Sequence, residues 1–390
     1  MKILMLFIDM LSASRLQLCN PNAQKNELDK ILGDVGGTVF SNCFSPAPDT
    51  PRSNAAVWSG VMPKKNHCNT RIKYPRYYLN DKIDNVWRMV DTLGLKKTIY
   101  ASKIYLDTGL LPPDAVNNAN VQEDGDLYRF LENADVQDDS FTYIALKDLH
   151  RLLEDYDFEP KYSGRAHSFM AKEVGAVFSK LNSDNFDLIV IYSDHGFMNK
   201  AYNVGSSNSR HLLDRERVQT YLQIYRRGDE GISIDGKLCS VMDIFPTMAN
   251  YMGYTIQSQV DGIDLFSDKT NKYVIIEDHG DFTVGLGQPV IWWKIITNKG
   301  EVTTNCYGEW FPVDTSEKTK AKCREILTDK TDEYEQNTRQ IEIWRSYKHG
   351  QSVSEYDTGE KRVKINQGII GRIKNKVYYI KNNMLNKKRV

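Results

Sequence analysis

The apolar positions fall into two kinds of run. Residues 3–8 (ILMLFI) form an unbroken apolar block, which predicts a strand buried on both faces. Similar blocks at 98–102, 141–146 (FTYIAL) and 187–192 (DLIVIY) predict further core strands. Between them the apolar residues recur at helical spacing. Leu28, Ile31 and Leu32 share one face of a short helix over 26–33, and Met170, Val174, Val177, Phe178 and Leu181 share one face of a helix over 163–181. Strands alternating with amphipathic helices predict an α/β fold, a doubly wound and mostly parallel sheet flanked by helices. Within 45–60 (SPAPDTPRSNAAVWSG), the pair Thr50-Pro51 reads as an N-cap and first helical residue, with Gly60 closing the helix. After about residue 270 the pattern changes to short strands (273–277, 291–297, 363–365) and a charged helical stretch at 317–345. The expected division is an α/β domain over 1–270 and a smaller α+β C-terminal subdomain over 271–390, ending in a basic tail from Arg372.

Composition narrows the classes. At 390 residues and 41% hydrophobic content the chain is long enough for a large core. Lys+Arg and Asp+Glu are equal at 51 each, so no basic excess points to nucleic acid. The N-terminal apolar block is too short for a secretory leader, and no segment reaches the roughly 18 apolar residues that span a membrane. The six cysteines are scattered without a CxxC pair and read as reduced thiols, from which a cytoplasmic location is expected. The tail, with Tyr378, Tyr379 and Ile380 among its basic residues, reads as a solvated end. Its alternative is peripheral contact with an anionic lipid surface. Oligomeric state is not encoded in any feature of the pattern.

Chemistry-bearing residues follow the buried strands. Asp9 ends the first; Asp148 and His150 follow FTYIAL; Asp194 and His195 follow DLIVIY. Ligands of open parallel sheets bind outside the carboxyl ends of the strands, so these residues are expected to converge on one rim. Taken singly, each has a plainer reading as a helix cap or a hydrogen-bonded structural histidine. Thr50, at a helix N-terminus, faces the positive end of the dipole and free N–H groups, a setting suited to a tetrahedral anion.

In order along roughly residues 1–340, these segments resemble the sulfatase branch of the alkaline phosphatase superfamily. LFID ends in the position of a metal-binding Asp, here Asp9, and APDTPRSNAAVWSG resembles the nucleophile block, with Thr50 at the nucleophile. KDLH carries His150, SDHG at 193–196 matches the metal segment, and RHLLDRERVQTYLQI places His211 where the family has a basic residue. VMDIFPTMANYMGY and VDGIDLF resemble later blocks, and WWKIITN and DEYEQNTR resemble parts of the C-terminal subdomain. The resemblance implies one dominant divalent metal, Zn or Mn, held by Asp9, Thr50, Asp194 and His195. It also implies Thr50 as a covalent nucleophile, His150 or His211 acting on the phosphoryl oxygens or leaving group, and Arg52 clamping a phosphoryl oxygen.

Departures from the family set the expected chemistry. Sulfatases carry a Cys or Ser that becomes formylglycine, and Thr50 cannot yield that aldehyde; Met10 also stands where a second acid commonly follows the first. The expectation is therefore a metal-dependent hydrolase or transferase of phosphomonoesters or phosphodiesters, on a small molecule, glycan or lipid-linked precursor. The alternatives are a sulfate-ester hydrolase on the same fold and a catalytically dead binding protein. His279, in a second D-H-G, and His67 are weaker candidates for the pocket, while His167, His349 and the Trp292-Trp293 pair read as structural.

Overall fold

The structure is a computed structural model. It describes residues 1–63, 65–66, 68, 82–102, 105, 111–123, 125–134, 138–155, 162–197, 213–279, 291–305 and 308–328, with two short strands at 356–357 and 362–363. The strands, in chain order, are β1 (Lys2–Ile8), β2 (Gly37–Phe40), β3 (Cys43–Phe44), β4 (Lys96–Ala101), β5 (Ala119–Glu123), β6 (Ser140–Leu146), β7 (Leu188–Tyr192), β8 (Leu222–Arg226), β9 (Ile232–Asp235) and β10 (Cys239–Ser240). They are followed by β11 (Val274–His279), β12 (Ile291–Thr297), β13 (Gly300–Asn305) and β14 (Trp310–Phe311). The main helices are α1 (Glu27–Val35), α2 (Thr50–Ser59), α3 (Val86–Thr92), α4 (Leu127–Asn133), α5 (Asp148–Asp155), α6 (Ser163–Leu181), α7 (Ile244–Tyr251) and α8 (Glu317–Thr328).

Eight strands form the central sheet in the order β5-β4-β6-β1-β7-β8-β2-β9. The five strands from β5 to β7 are parallel neighbours, and β8 runs antiparallel to both β7 and β2. The unbroken apolar blocks are explained by burial on both faces. Alternate residues of β1 divide between two cores: Ile3, Met5 and Phe7 pack with α2, α3 and α7, and Leu4, Leu6 and Ile8 pack with α1, α4 and α6. The helix over 163–181 has the bounds its periodicity predicts.

A second, antiparallel sheet β11-β12-β13-β14 builds the smaller C-terminal subdomain. It too is covered on both sides. Val274 and Ile276 of β11 join a cluster with Phe44, Val218 and Trp292, whereas Ile275 packs with Ala56 of α2 and with Cys323 and Leu327 of α8. Trp292 is thus core, as its sequence context suggests. The expected charged helix over 317–345 is described only as α8, and the expected strand over 363–365 only as the two residues Arg362–Val363; the basic tail from Arg372 lies outside the described residues. Cys19, Cys43, Cys68, Cys239 and Cys323 are free thiols, even though Cys43 and Cys239 are register partners in the β3–β10 pair. No helix among the described residues is long and apolar enough to cross a membrane.

Gly37, which opens β2, has a φ of +85°, and a Cβ there would lie 2.4 Å from the Ile224 carbonyl oxygen. Gly37→Ala would combine left-handed strain with a backbone clash at the start of the β2–β8 pairing. It is expected to cost more than about 1 kcal/mol, read as a lowered Tm; an unchanged Tm would mean that β2 is not held at this close approach.

Candidate active site

The parallel register of β1 and β7 builds the site. Phe7 is paired with Tyr192, so Asp9 and Asp194, each two residues farther on, leave the sheet side by side. Beyond Asp9 the chain turns at Met10, whose φ is +70°. The turn sends the Met10 N–H to Asp194 Oδ1 at 3.3 Å and the Leu11 N–H to Ser193 Oγ at 2.8 Å. Asp194 Oδ1 also accepts from the His195 N–H at 2.8 Å. The position that departs from the paired acids of sulfatases is therefore used by its backbone, which orients the second carboxylate.

Asp9, Asp194 and His195 each offer a ligand atom, all within 4.8 Å of one another. All three side chains are buried, and among the described residues Asp9 Oδ1 and Asp194 Oδ2 accept no hydrogen bond, although His195 Nε2 lies 3.3 Å from Asp194 Oδ2. Orphaned buried carboxylate oxygens are costly unless something charged meets them. Burial pushes the Asp194 carboxyl up, and the charge of Asp9 pushes it further, despite the donors around it. Burial acts on Asp9 in the same direction but is outweighed by His150, His195 and Tyr105, which hold it well below the usual carboxylate range. Burial first, and then the charge of Arg217, push the His195 imidazole down to about 3, so it is neutral. Its Nδ1 lies 3.1 Å from the Gly196 carbonyl oxygen, the tautomer that leaves a lone pair on Nε2. Two oxygens and an imidazole nitrogen of this kind fit a divalent transition metal.

Thr50 enters from α2. Its hydroxyl lies 3.3 Å from His195 Nε2. The structure moves the helix start relative to the sequence expectation: Asp49 is the N-cap, its carboxylate accepting from the Arg52 N–H at 3.3 Å, and Thr50 is the first helical residue. A carboxylate one residue earlier takes the capping role, and Thr50 keeps its hydroxyl for the cluster. Ser53, one turn into α2, donates to the Asp194 carbonyl oxygen at 2.6 Å and ties the helix to the end of β7.

The remaining expected residues separate. His150, in the first turn of α5, reaches Asp9 Oδ2 with Nδ1 at 3.1 Å and keeps 31% of its side chain exposed. Burial pushes its pKa down, but the charge of Asp9 and the bond to it, with Glu154, push it up by more. Arg52 is anchored by two carboxylates, while its Nη1 makes no hydrogen bond among the described residues. Its guanidinium is fully buried and bonds Asp49 and, at 2.9 Å, Asp278 of β11. The two carboxylates hold the guanidinium through Nε and Nη2. His211 and His67 lie outside the described residues, as does His349; His279 ends β11. Asp148 opens α5 and pairs with Arg151 at 3.3 Å, apart from the cluster. His167 is a buried helix residue bonded to the Ser163 carbonyl.

Two residues were missed in the sequence. Tyr105 donates to Asp9 Oδ2 at 2.7 Å, so Tyr105 and His150 both occupy Oδ2 and leave Oδ1 to the cluster. Arg217 grips two site loops, through Pro48 O at 2.9 Å and Gly196 O at 3.3 Å. A lone Tyr carried no pattern that would single it out. Arg217 lies in the segment that carries His211, six residues farther on, and its nearness to the strand that follows is the available signal.

If this donor set holds a metal, purified protein given Zn or Mn is expected to retain about one ion per chain. Its Tm should rise by the equivalent of about 2.7 kcal/mol at a free ion concentration of a hundred times Kd. Asp194→Asn should lose both effects. Elemental analysis and thermal melts read the outcome, and identical melts of wild type with and without either ion would exclude a site of useful affinity.

No family model matches the sequence, and no curated protein does. Solved structures do match the fold. BT1596, a 2-O glycosaminoglycan sulfatase, aligns over 88% of this chain and 93% of its own, with a TM-score of 0.64 and 16% identity. The phosphonate monoester hydrolase of Silicibacter pomeroyi aligns over 86% and 95%, with a TM-score of 0.59 and 13% identity. An alkaline phosphatase superfamily protein from Vibrio parahaemolyticus aligns over 86% and 87%, with a TM-score of 0.56 and 12% identity. With its central sheet, its small antiparallel second sheet and its strand-end cluster, the chain has the fold of the alkaline phosphatase and sulfatase superfamily.

Proposed function

We propose that the protein is a metal-dependent enzyme that cleaves or transfers phosphorus esters through a covalent intermediate on Thr50. The observation that carries this reading is the Thr50 hydroxyl, 3.3 Å from His195 Nε2 and beside two buried carboxylates that each have an oxygen unpartnered among the described residues. Asp9, Asp194 and His195, with Thr50 itself, are the residues that would hold a Zn or Mn ion. Such an ion would lower the pKa of the Thr50 hydroxyl and neutralise the carboxylate pair.

The chain's own groups then divide the work. Thr50 Oγ1, having released its proton to solvent, forms the bond to phosphorus, and the bond from phosphorus to the ester oxygen breaks. His150 is partly exposed at the edge of the cluster and is oriented through the contact of its Nδ1 with Asp9. It supplies the proton that leaves with the alcohol, with His211 as the second residue proposed for this side of the reaction. Water, or a hydroxyl of an acceptor such as a sugar, then gives its proton to His150 and attacks phosphorus, and the bond from phosphorus to Thr50 breaks, with the Thr50 oxygen taking up a proton from solvent. Thr50 also sets the choice between phosphorus and sulfur. An unmodified threonine hydroxyl leaves a covalent ester that must be displaced at the central atom, without the aldehyde hydrate that sulfatases use. The substrate is proposed to be a phosphomonoester or phosphodiester of a small molecule or glycan.

Two measurements test this. Aryl phosphate monoesters or diesters are expected to turn over faster than the matching aryl sulfate; robust sulfate release with no phosphate release would reverse the assignment. Thr50→Ala is expected to lower kcat by several orders of magnitude and to leave Tm nearly unchanged, since Asp49 provides the cap. Thr50→Ser should retain measurable turnover. A Thr50→Ala protein that stays active would leave Thr50 a structural residue only.

A further inference from the structure

Among the described residues, Asp278 of the second D-H-G is not one of the ligand-bearing residues at the ends of β1 and β7. It nevertheless reaches the nucleophile turn. Asp278 and Arg52 are both fully buried, and Arg52 Nη2 donates to Asp278 Oδ1 at 2.9 Å. The same guanidinium bonds Asp49 Oδ2 through Nε at 2.7 Å. Asp49 in turn caps α2, so the chain of contacts ends on the residue that precedes Thr50. The backbone adds a parallel tie, because the Glu277 N–H donates to the Pro46 carbonyl at 2.9 Å. Side chains of β11 flank the segment on both sides of Thr50: Ile276 packs with Phe44 before it, and Ile275 with Ala56 after it.

We infer that Asp278 is a positioning residue for the nucleophile: through Arg52 it fixes the Asp49–Thr50 turn from the side of the smaller subdomain, while Ser53 fixes α2 from the side of the central sheet. The inference rests on the proposed nucleophile role of Thr50. It gives the C-terminal subdomain a working part in the reaction and gives Arg52 a role as intermediary. A purely stabilising ion network would affect Tm alone, whereas a positioning network controls where one hydroxyl lies. Displacing a reacting group by about 1 Å costs about a hundredfold in rate, a loss that falls on kcat and leaves KM nearly untouched.

The test compares the metal-loaded full chain with its Asp278→Asn variant, using an aryl phosphate ester for kinetics and hydrogen exchange for the amides of 49–54. Ile189→Val, in the central sheet core, is the control for general destabilisation. Asp278→Asn is expected to lower kcat by about ten- to a hundredfold at a KM within a few-fold of wild type. It should speed exchange of those amides by at least about tenfold, with neither change in Ile189→Val. Wild-type kcat or wild-type exchange in a folded Asp278→Asn protein overturns the inference, and so do changes that Ile189→Val reproduces. Should Asp278→Asn fail to fold, the double variant Arg52→Met/Asp278→Leu removes both buried charges together and is read by the same two criteria. Should wild type itself turn over no phosphorus ester, the proposed function fails on its own, and the exchange comparison alone decides whether Asp278 holds the turn.

Discussion

Asp9 and Asp194 stand next to each other at the ends of adjacent parallel strands, 4% and 0% exposed. At an effective dielectric of about 20, two like charges within 4.8 Å repel by at least about 3 kcal/mol, before the cost of taking either out of water. The fold places them there without choice. The β1–β7 register fixes the separation, and the cores on both faces of the sheet fix the register. The surroundings divide the strain unequally: His150, Tyr105 and His195 favour the charged form of Asp9, while burial and Asp9 itself favour the protonated form of Asp194. A divalent cation between them would remove the conflict and let both ionise. The neutral His195, the Met10 turn and the Thr50 hydroxyl are all arranged around that place.

Three bodies of structure hold the nucleophile turn against this cluster. The central sheet does so through Ser53 and the Asp194 carbonyl, the segment Arg215–Val218 through Arg217 and the Pro48 carbonyl, and the second sheet through Glu277 and Asp278. Gly196 shows how close these parts are, since a Cβ there would meet the Glu216 carbonyl oxygen at 2.2 Å. Each tie ends on backbone carbonyls or on a buried carboxylate, groups whose loss leaves a polar atom unsatisfied. Such a turn has little freedom to relax, which suits a hydroxyl that must meet phosphorus in line.

Much of the layout was legible in the residues because burial imposes it directly. The unbroken run 3–8 is a strand covered on both faces, the helical spacing of 163–181 gives α6 to the residue, and the acids that end β1 and β7 do converge. Local chemistry misled at the start of α2, where Thr50-Pro51 carries a strong capping pattern but Asp49, an equally good cap, lies one residue earlier. The anchoring of Arg52 was hidden for a different reason. Its position two residues past Thr50 is local information, whereas its partner Asp278 lies 226 residues away and is brought in by a second sheet. Tyr105 and Arg217 were hidden likewise, since their contacts with Asp9, Pro48 and Gly196 exist only in the folded chain.

The most direct measurement of the central claim is mass spectrometry of the metal-loaded protein, quenched in acid during turnover of an aryl phosphate ester. The predicted result is one phosphoryl group on the peptide containing Thr50, assigned to Thr50 by fragmentation and absent from Thr50→Ala. Rapid turnover with Thr50 unmodified at every quench time, or a phosphoryl group on another residue, would contradict it.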